Sequence, residues 1–157
     1  MEIEIRRATT GDIKSVQRLS LLLFEKQRGE FDTTLNLEWP FSEEGEIYFR
    51  KSITEDDQCV FVACVDDNII GFLNGCIDEK DSNRSAPRFS EMDYLFVLDE
   101  YRGNGIGTKL YRAFLNWCQS KNIKRLRVTA SAGNSGAINF YRKNGFTDYD
   151  LVLEQNI

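Results

Sequence analysis

The chain contains no histidine. That absence excludes a Ser-His-Asp triad, a Cys-His pair and any His-ligated metal site. Acid–base work must fall to Asp, Glu, Tyr, Lys, Cys or water. Cysteine is sparse: Cys59, Cys64, Cys76 and Cys118 show no C-x-x-C spacing, and three of them sit inside apolar strand patterns. Buried free thiols in a reducing cytosol are expected, rather than a catalytic cysteine or a metal site. No run approaches the ~18 uninterrupted apolar residues of a membrane span. The opening Met1-Glu2-Ile3-Glu4-Ile5 alternates acid and apolar, as a strand does and a signal peptide does not. The expectation is a cytoplasmic protein without a membrane partner.

Acids are also missing locally. From Tyr101 to Thr147 there is none, while nine bases fall there: Arg102, Lys109, Arg112, Lys121, Lys124, Arg125, Arg127, Arg142 and Lys143. The rest of the chain holds eleven bases against all 25 acids, or −14 of a net −5. A polyanion would be drawn to the first part and a cation to the second. The aromatics of the basic part, Tyr111, Phe114, Trp117 and Phe140, recur at core spacing and form no stacking platform, so nucleic acid is not expected as a partner.

What is present is an ordinary globular composition, 41% apolar over 157 residues, which suits one domain spanning 1–157. Strands are expected at Ile3–Arg7, Cys59–Val65, Ile69–Ile77, Phe89–Leu98 and Leu126–Ala130. Thr9 and Asp12 suggest a capping box for a helix to about Gln27, and Ser42 caps a second helix through Glu46, Phe49 and Ile53. Pro40 should push Trp39 away from helical geometry. Asp66-Asp67-Asn68 reads as a hairpin turn, and polar Asp78–Arg88, with Pro87, as an exposed loop. Leu126–Ala130 follows a helical crossover and should run parallel to the central strand Phe89–Leu98. Asn134–Asn144 reads as the last helix, and Phe146–Glu154 as the strand that completes the sheet.

The stretch that organises the chain is Tyr94-Leu95-Phe96-Val97-Leu98-Asp99-Glu100-Tyr101-Arg102-Gly103-Asn104-Gly105-Ile106-Gly107-Thr108-Lys109-Leu110. An apolar strand runs into a glycine-dense loop. Then Ile106, Leu110, Phe114 and Trp117 set a helical face. Glycine lets main chain approach a ligand closely, and a helix mouth offers unpaired N–H groups with partial positive charge. That is an anion site, above all for phosphate. Neither the dinucleotide G-x-G-x-x-G nor the Walker G-x-x-x-x-G-K-[ST] spacing is present.

Arg102-x-x-Gly105-x-Gly107 resembles the acyl-CoA signature [RQ]-x-x-G-x-[GA] of the GNAT superfamily of N-acetyltransferases. Asn134, Ala137, Phe140, Tyr141, Gly145 and Phe146 resemble that superfamily's later block, N-x-x-A-x-x-F-Y-x-x-x-G-F. The resemblance implies a three-layer α/β/α sandwich with a mixed, mostly antiparallel sheet. It implies acetyl-CoA as co-substrate and an amine acceptor, attacked directly in a ternary complex. Cofactor contacts would come from Leu95, Phe96 and Val97 along the pantetheine arm, and from Arg102, Gly103, Asn104, Gly105, Ile106, Gly107 and Thr108 at the pyrophosphate. Asn134 would hydrogen-bond the pantetheine, and Tyr141 would stand by the sulfur. The N–H of Val97 would polarise the thioester carbonyl, and Tyr141 would protonate the leaving thiolate. Glu91 and Asp93, two apart on the central strand, should share a face, and either could take the acceptor's proton; acids of Arg28–Asp57 are alternatives. That segment usually shapes the acceptor site in this superfamily, so Phe31, Trp39 and Phe41 read as pocket walls or as anchors of the loop. A non-catalytic acyl-CoA sensor is the alternative function, and a homodimer is left open.

Overall fold

The computed structural model describes residues 2–78, 83–85 and 88–157. Five strands form one sheet in the order β1 (Glu4–Arg7), β2 (Gln58–Val65), β3 (Asn68–Asp78), β4 (Phe89–Val97) and β5 (Leu126–Val128). The first three pairings are antiparallel and β4 with β5 is parallel. The parallel pair needs a crossover, and α3 (Ile106–Ser120) supplies it. α1 (Ile13–Glu30) and α2 (Glu43–Thr54) cover one face; α3 and α4 (Ser135–Lys143) lie on the other. The architecture is therefore the expected α/β/α sandwich with a mixed, mostly antiparallel sheet.

Local chemistry explains the boundaries. The Thr9 N–H donates to Asp12 Oδ2 at 2.7 Å, and Arg6 donates to the same carboxylate at 2.8 Å, anchoring the start of α1 to the sheet. α1 runs one turn beyond the expected Gln27, to Glu30. Ser42 caps α2 by accepting from the Gly45 N–H at 3.1 Å. Asp66 and Asp67 both have positive φ (46° and 64°), the backbone a tight two-residue hairpin demands. Strand alternation then divides the core: Val60, Val62 and Phe72 pack under α1 and α2, while Cys59, Ala63 and Leu73 pack under α3. At Gly75 a side chain would strike the Phe114 ring at 2.6 Å and the Glu91 carbonyl, so glycine is what lets α3 settle on the sheet.

Two expectations need correction. Trp39 is not driven out of helical geometry: Trp39–Phe41 forms a 3-10 turn with Pro40 in its first positions, where a missing N–H costs nothing. The strand expected at Phe146–Glu154 does not form. Arg142 holds Asp148 at 2.7 Å, and the Tyr149 ring lies over the guanidinium groups of Arg125 and Arg127 at 4.7 and 5.7 Å. Side chains thus engage the flank of β5 without main-chain pairing, and Leu151, Val152 and Leu153 are left exposed. As a result β4 is the fourth of five strands, with one short neighbour beyond it. Of the loop expected at Asp78–Arg88, residues 83–85 and 88 are exposed, Asp78 ends β3, and 79–82 and 86–87 lie outside the described residues.

Candidate active site

β4 ends at Val97, a 3-10 turn (Asp99–Tyr101) reverses the chain, and α3 begins at Ile106. Gly103 and Gly105 both adopt left-handed φ (78° and 72°), which turns the loop over the helix mouth. Asn104 stabilises the turn by donating to the Tyr101 and Arg102 carbonyls at 3.1 and 3.3 Å. The first bond of the helix is from the Lys109 N–H to the Gly105 carbonyl, so Ile106, Gly107 and Thr108 present N–H groups without helical partners. No acid stands in this first turn to occupy them. The Ile106 side chain is core, 2% exposed, so only its main chain faces the mouth. A pyrophosphate fits these donors and the positive end of the helix.

Arg102 is committed elsewhere. Its Nε donates to the Val97 carbonyl at 2.9 Å, its Nη1 pairs with Asp99 at 2.9 Å, and its guanidinium lies over Phe96 at 5.5 Å. The side chain ties the strand end to the loop, leaving main chain for any ligand contact.

The second half of β4 has an open edge. Pairing with β5 stops at Met92, opposite Val128. The Leu98 N–H donates to Ile70 on β3. By alternation the Val97 and Leu95 N–H groups point the other way, toward the edge that β5 leaves bare. A thioester arm laid there would meet β4 through the Val97 N–H, the Val97 carbonyl on the same edge being already held by Arg102.

α4 packs beside this mouth: the Phe140 ring lies 3.7 Å from where a Gly107 side chain would begin. Asn134 Oδ1 caps α4 by accepting from the Ala137 N–H at 3.1 Å, which leaves its amide N–H donors available. Tyr141 packs against Phe140 and Phe146, and its hydroxyl makes no hydrogen bond among the described residues. Burial pushes its phenol up to about 12, so it stays protonated at neutral pH.

Glu91 and Asp93 are brought together in a different place. Asn74 pairs with Tyr94 but Gly75 pairs with Met92, so Asp93 is the extra residue of a bulge in β4. Both carboxylates line a cleft of about 260 Å³ with Tyr48, Met92, Tyr94 and Thr129. Tyr141 and the glycine loop do not line it. The Tyr48 hydroxyl donates to Asp93 Oδ2 at 2.8 Å and accepts from Asn74 Nδ2 at 2.6 Å. Asp93 is an exposed residue, and partial desolvation of its carboxyl raises it above its usual range, with Glu91 and Asp78 adding to the rise and the Tyr48 hydrogen bond opposing it.

Tyr48 and Asn74 were not among the residues singled out from sequence. Asn74 carried a signal: it is the one polar side chain in the run Ile69–Ile77, and in the structure it is fully buried. Tyr48 carried none beyond its place one turn after Gly45 on the buried face of α2. The aromatic anchors resolve differently. Trp39 stacks on Phe24 at 5.9 Å and meets Tyr48 at 5.3 Å, so it pins the loop, while Phe41 is exposed. All four cysteines are free, and burial raises every thiol away from the reactive thiolate. No group of metal-ligating side chains occurs among the described residues.

Comparison with known proteins agrees with this geometry. The chain is 30% identical over 141 residues to an uncharacterized N-acetyltransferase of Archaeoglobus fulgidus, covering 88% of this chain and 89% of that one. It is 30% identical over 156 residues to an N-alpha-acetyltransferase of Sulfurisphaera tokodaii, covering 96% and 84%. It spans 46% of an uncharacterized N-acetyltransferase of Methanocaldococcus jannaschii, at 29% identity over 105 residues. Among solved structures, aminoglycoside N-acetyltransferase AAC(6')-Iy in complex with CoA superimposes with a TM-score of 0.77 at 18% identity, over 99% of this chain and 95% of that one. A model of the acetyltransferase (GNAT) family matches residues 22–146. The chain therefore belongs to the acetyltransferase (GNAT) family, the superfamily of acetyl-CoA-dependent N-acetyltransferases that its two motifs resemble.

Proposed function

We propose that this chain moves an acetyl group from acetyl-CoA to an amine, a small cationic molecule or a peptide amine, by direct attack in a ternary complex. The observation that carries the reading is an adjacency: the half of β4 that β5 leaves unpaired ends where the turn and glycine loop bring in the unpaired N–H groups of α3. When bound, the co-substrate supplies an activated acetyl group as a thioester. The first turn of α3, with Gly103 and Gly105, holds the pyrophosphate. Leu95, Phe96 and Val97 align the pantetheine arm, and Asn134 offers it an amide N–H. The Val97 N–H stabilises charge on the carbonyl oxygen as the amine attacks. Tyr141, protonated at working pH, gives its proton to the departing sulfur. Glu91 and Asp93 draw the cationic acceptor to the cleft, and one of them takes its proton.

Relatives named N-alpha-acetyltransferase and streptothricin acetyltransferase support an amine acceptor without choosing its size. No helix among the described residues is long and apolar enough to cross a membrane, and four free thiols support a cytoplasmic location. A homodimer would cover the exposed Leu151, Val152 and Leu153; sedimentation of a pure monomer at micromolar concentration would dismiss it. Calorimetric titration tests the functional reading: saturable acetyl-CoA binding supports it, and no binding at millimolar acetyl-CoA overturns it.

A further inference from the structure

Arg102 stands at the head of the glycine loop, but its side chain turns back onto β4. Nε donates to the Val97 carbonyl at 2.9 Å, and the guanidinium lies over the Phe96 ring at 5.5 Å. Nη1 meets Asp99 at 2.9 Å, and Lys26 on α1 meets the same carboxylate at 3.2 Å. The main chain of Arg102 is fixed as well. Its N–H donates to the Asp99 carbonyl at 3.2 Å, and its carbonyl accepts from Asn104 Nδ2 at 3.3 Å. The contact with Val97 is part-buried, whereas the Asp99 carboxylate is 67% exposed and screened by water and salt. The bond to Val97 is therefore the one that shapes the strand.

What it holds is the end of a strand with a neighbour on one side. β5 pairs with β4 only as far as Met92. On the β3 side, Phe96 pairs with Phe72, Val97 faces Gly71, and the Leu98 N–H donates to Ile70 at 2.9 Å. The fit there is close: a side chain on Gly71 would lie 2.8 Å from the Phe96 carbonyl oxygen and 3.2 Å from Val97 Cγ2. On the other side no strand fixes the Val97 peptide groups. The N–H and C=O of one strand residue point to the same edge, so the Val97 N–H lies beside the carbonyl that Arg102 holds. Arg102 takes the place of the absent neighbour strand. It also changes what the edge offers. A bare carbonyl beside that N–H would repel a second carbonyl brought against it. With a charged donor on the Val97 oxygen, the edge presents positive character alone.

We propose that Arg102 is a positioning residue for the Val97 N–H: through the Val97 carbonyl it orients the donor that meets the thioester, and it leaves the phosphates to main chain. This rests on the acetyltransferase reading given above. It departs from the role that the resemblance implies for Arg102, a contact at the pyrophosphate. Ile106, Gly107 and Thr108, whose N–H groups have no helical partners, carry that contact instead. Arg102 touches Val97, not the acetyl group. Its effect falls on how strongly the thioester carbonyl is polarised, and not on how tightly the rest of the cofactor is held.

Two substitutions separate the parts of this role. Gln Nε2 lies as many bonds from Cα as Arg Nε does, so Arg102→Gln keeps a donor for the Val97 carbonyl and loses the charge. Arg102→Met keeps an apolar chain over Phe96 and loses both. Calorimetry with CoA measures the grip on the phosphates, and calorimetry with acetyl-CoA adds the thioester. Infrared spectroscopy of bound acetyl-CoA, labelled with carbon-13 at the acetyl carbonyl, reads polarisation of that carbonyl directly and needs no acceptor.

In the wild type the labelled band should lie below its frequency in free acetyl-CoA. In Arg102→Met it should return most of the way to the free value, and in Arg102→Gln it should stay near wild type. Kd for CoA should rise by no more than about threefold in either variant at moderate salt, where distant charge is screened. In Arg102→Met, acetyl-CoA should weaken by about 3–10-fold more than CoA does, the worth of one hydrogen bond. A loss of CoA affinity of about tenfold or more in both variants would place the guanidinium on the phosphates and overturn the assignment. So would a band in Arg102→Met unmoved from wild type, or one in Arg102→Gln as displaced as in Arg102→Met. Should Arg102→Met fail to fold, Arg102→Gln decides alone, by a retained band and CoA affinity or by their loss. None of these results touches the acetyltransferase reading. A wild-type protein that binds no acetyl-CoA defeats that reading first, and this one with it.

Discussion

Gly105 offers the sharpest separation of binding from folding. It is the N-cap of α3, at φ 72°, and a side chain added there meets nothing within 4 Å. Replacement is therefore limited by the backbone and not by space. Asn and Asp are the residues that best tolerate the left-handed region, at a cost of about 1–2 kcal/mol. Gly105→Asn and Gly105→Asp are nearly isosteric, so their difference is one negative charge. For folding, that charge at a helix N-terminus is favourable by roughly 0.3–1 kcal/mol. For the ligand it is unfavourable. If a phosphate occupies the first-turn N–H groups, a carboxylate about 4–6 Å away repels each unit charge by roughly 3–4 kcal/mol at an effective dielectric of 20. Salt screening reduces this, but a rise in Kd of at least about 30-fold should survive at low ionic strength. Gly105→Asp should thus be as stable as Gly105→Asn or slightly more so, yet bind acetyl-CoA far more weakly. Paired thermal melts and calorimetric titrations, run at low and high salt, read both quantities. Equal affinities in the two variants would show that no anion sits at this helix mouth.

Other consequences can be checked separately. Tyr141→Phe keeps the ring packed on Phe146 and removes the proton donor, so kcat should fall by roughly 10²–10⁴ with acetyl-CoA affinity almost unchanged; an unaltered kcat with chemistry rate-limiting would assign Tyr141 to packing. Gly75→Ala should destabilise the fold by about 1–3 kcal/mol in chemical denaturation, because the Phe114 ring and the Glu91 carbonyl already occupy the space, and a neutral result would contradict that packing. Asp12 is held at about 2, first by the hydrogen bond from Arg6 and then by Thr9. Its folded value lies below its unfolded one, so its stabilisation is full above about pH 4–5 and is lost as pH falls toward 2. The stability difference between wild type and Asp12→Asn, about 1–2 kcal/mol near neutral pH because Arg6 is partly exposed and the pair partly screened, should fall to a few tenths of a kcal/mol near pH 2.

Features that depend on a few neighbouring residues were legible in the sequence. The glycine loop is one, since positive φ and an unpaired helix start are local demands. The Asp66-Asp67 turn, the Thr9 and Asp12 capping box and the Ser42 cap are others. The crossover to β5 followed from the helix between two apolar runs. The register of β3 on β4 was not legible. It decides that Asp93 is bulged, and it depends on Asn74 and Gly75 nearly twenty residues upstream. The Tyr48–Asp93 bond joins positions 45 residues apart, and no local pattern announces it. The failed strand at Phe146–Glu154 illustrates the reverse limit. Its apolar residues have strand composition, but Asp148 pairs with Arg142 and Tyr149 lies over Arg125 and Arg127, and the main chain forms no ladder with β5.

The central claim is amine-dependent acetyl transfer, and the release of CoA thiol measures it most directly. With acetyl-CoA saturating, the wild type should release thiol at a rate that rises and saturates with a primary amine cation, and that falls as salt screens the acidic cleft. Thiol release no faster than background hydrolysis, across polyamines, aminoglycosides and N-terminal peptides, would contradict the account.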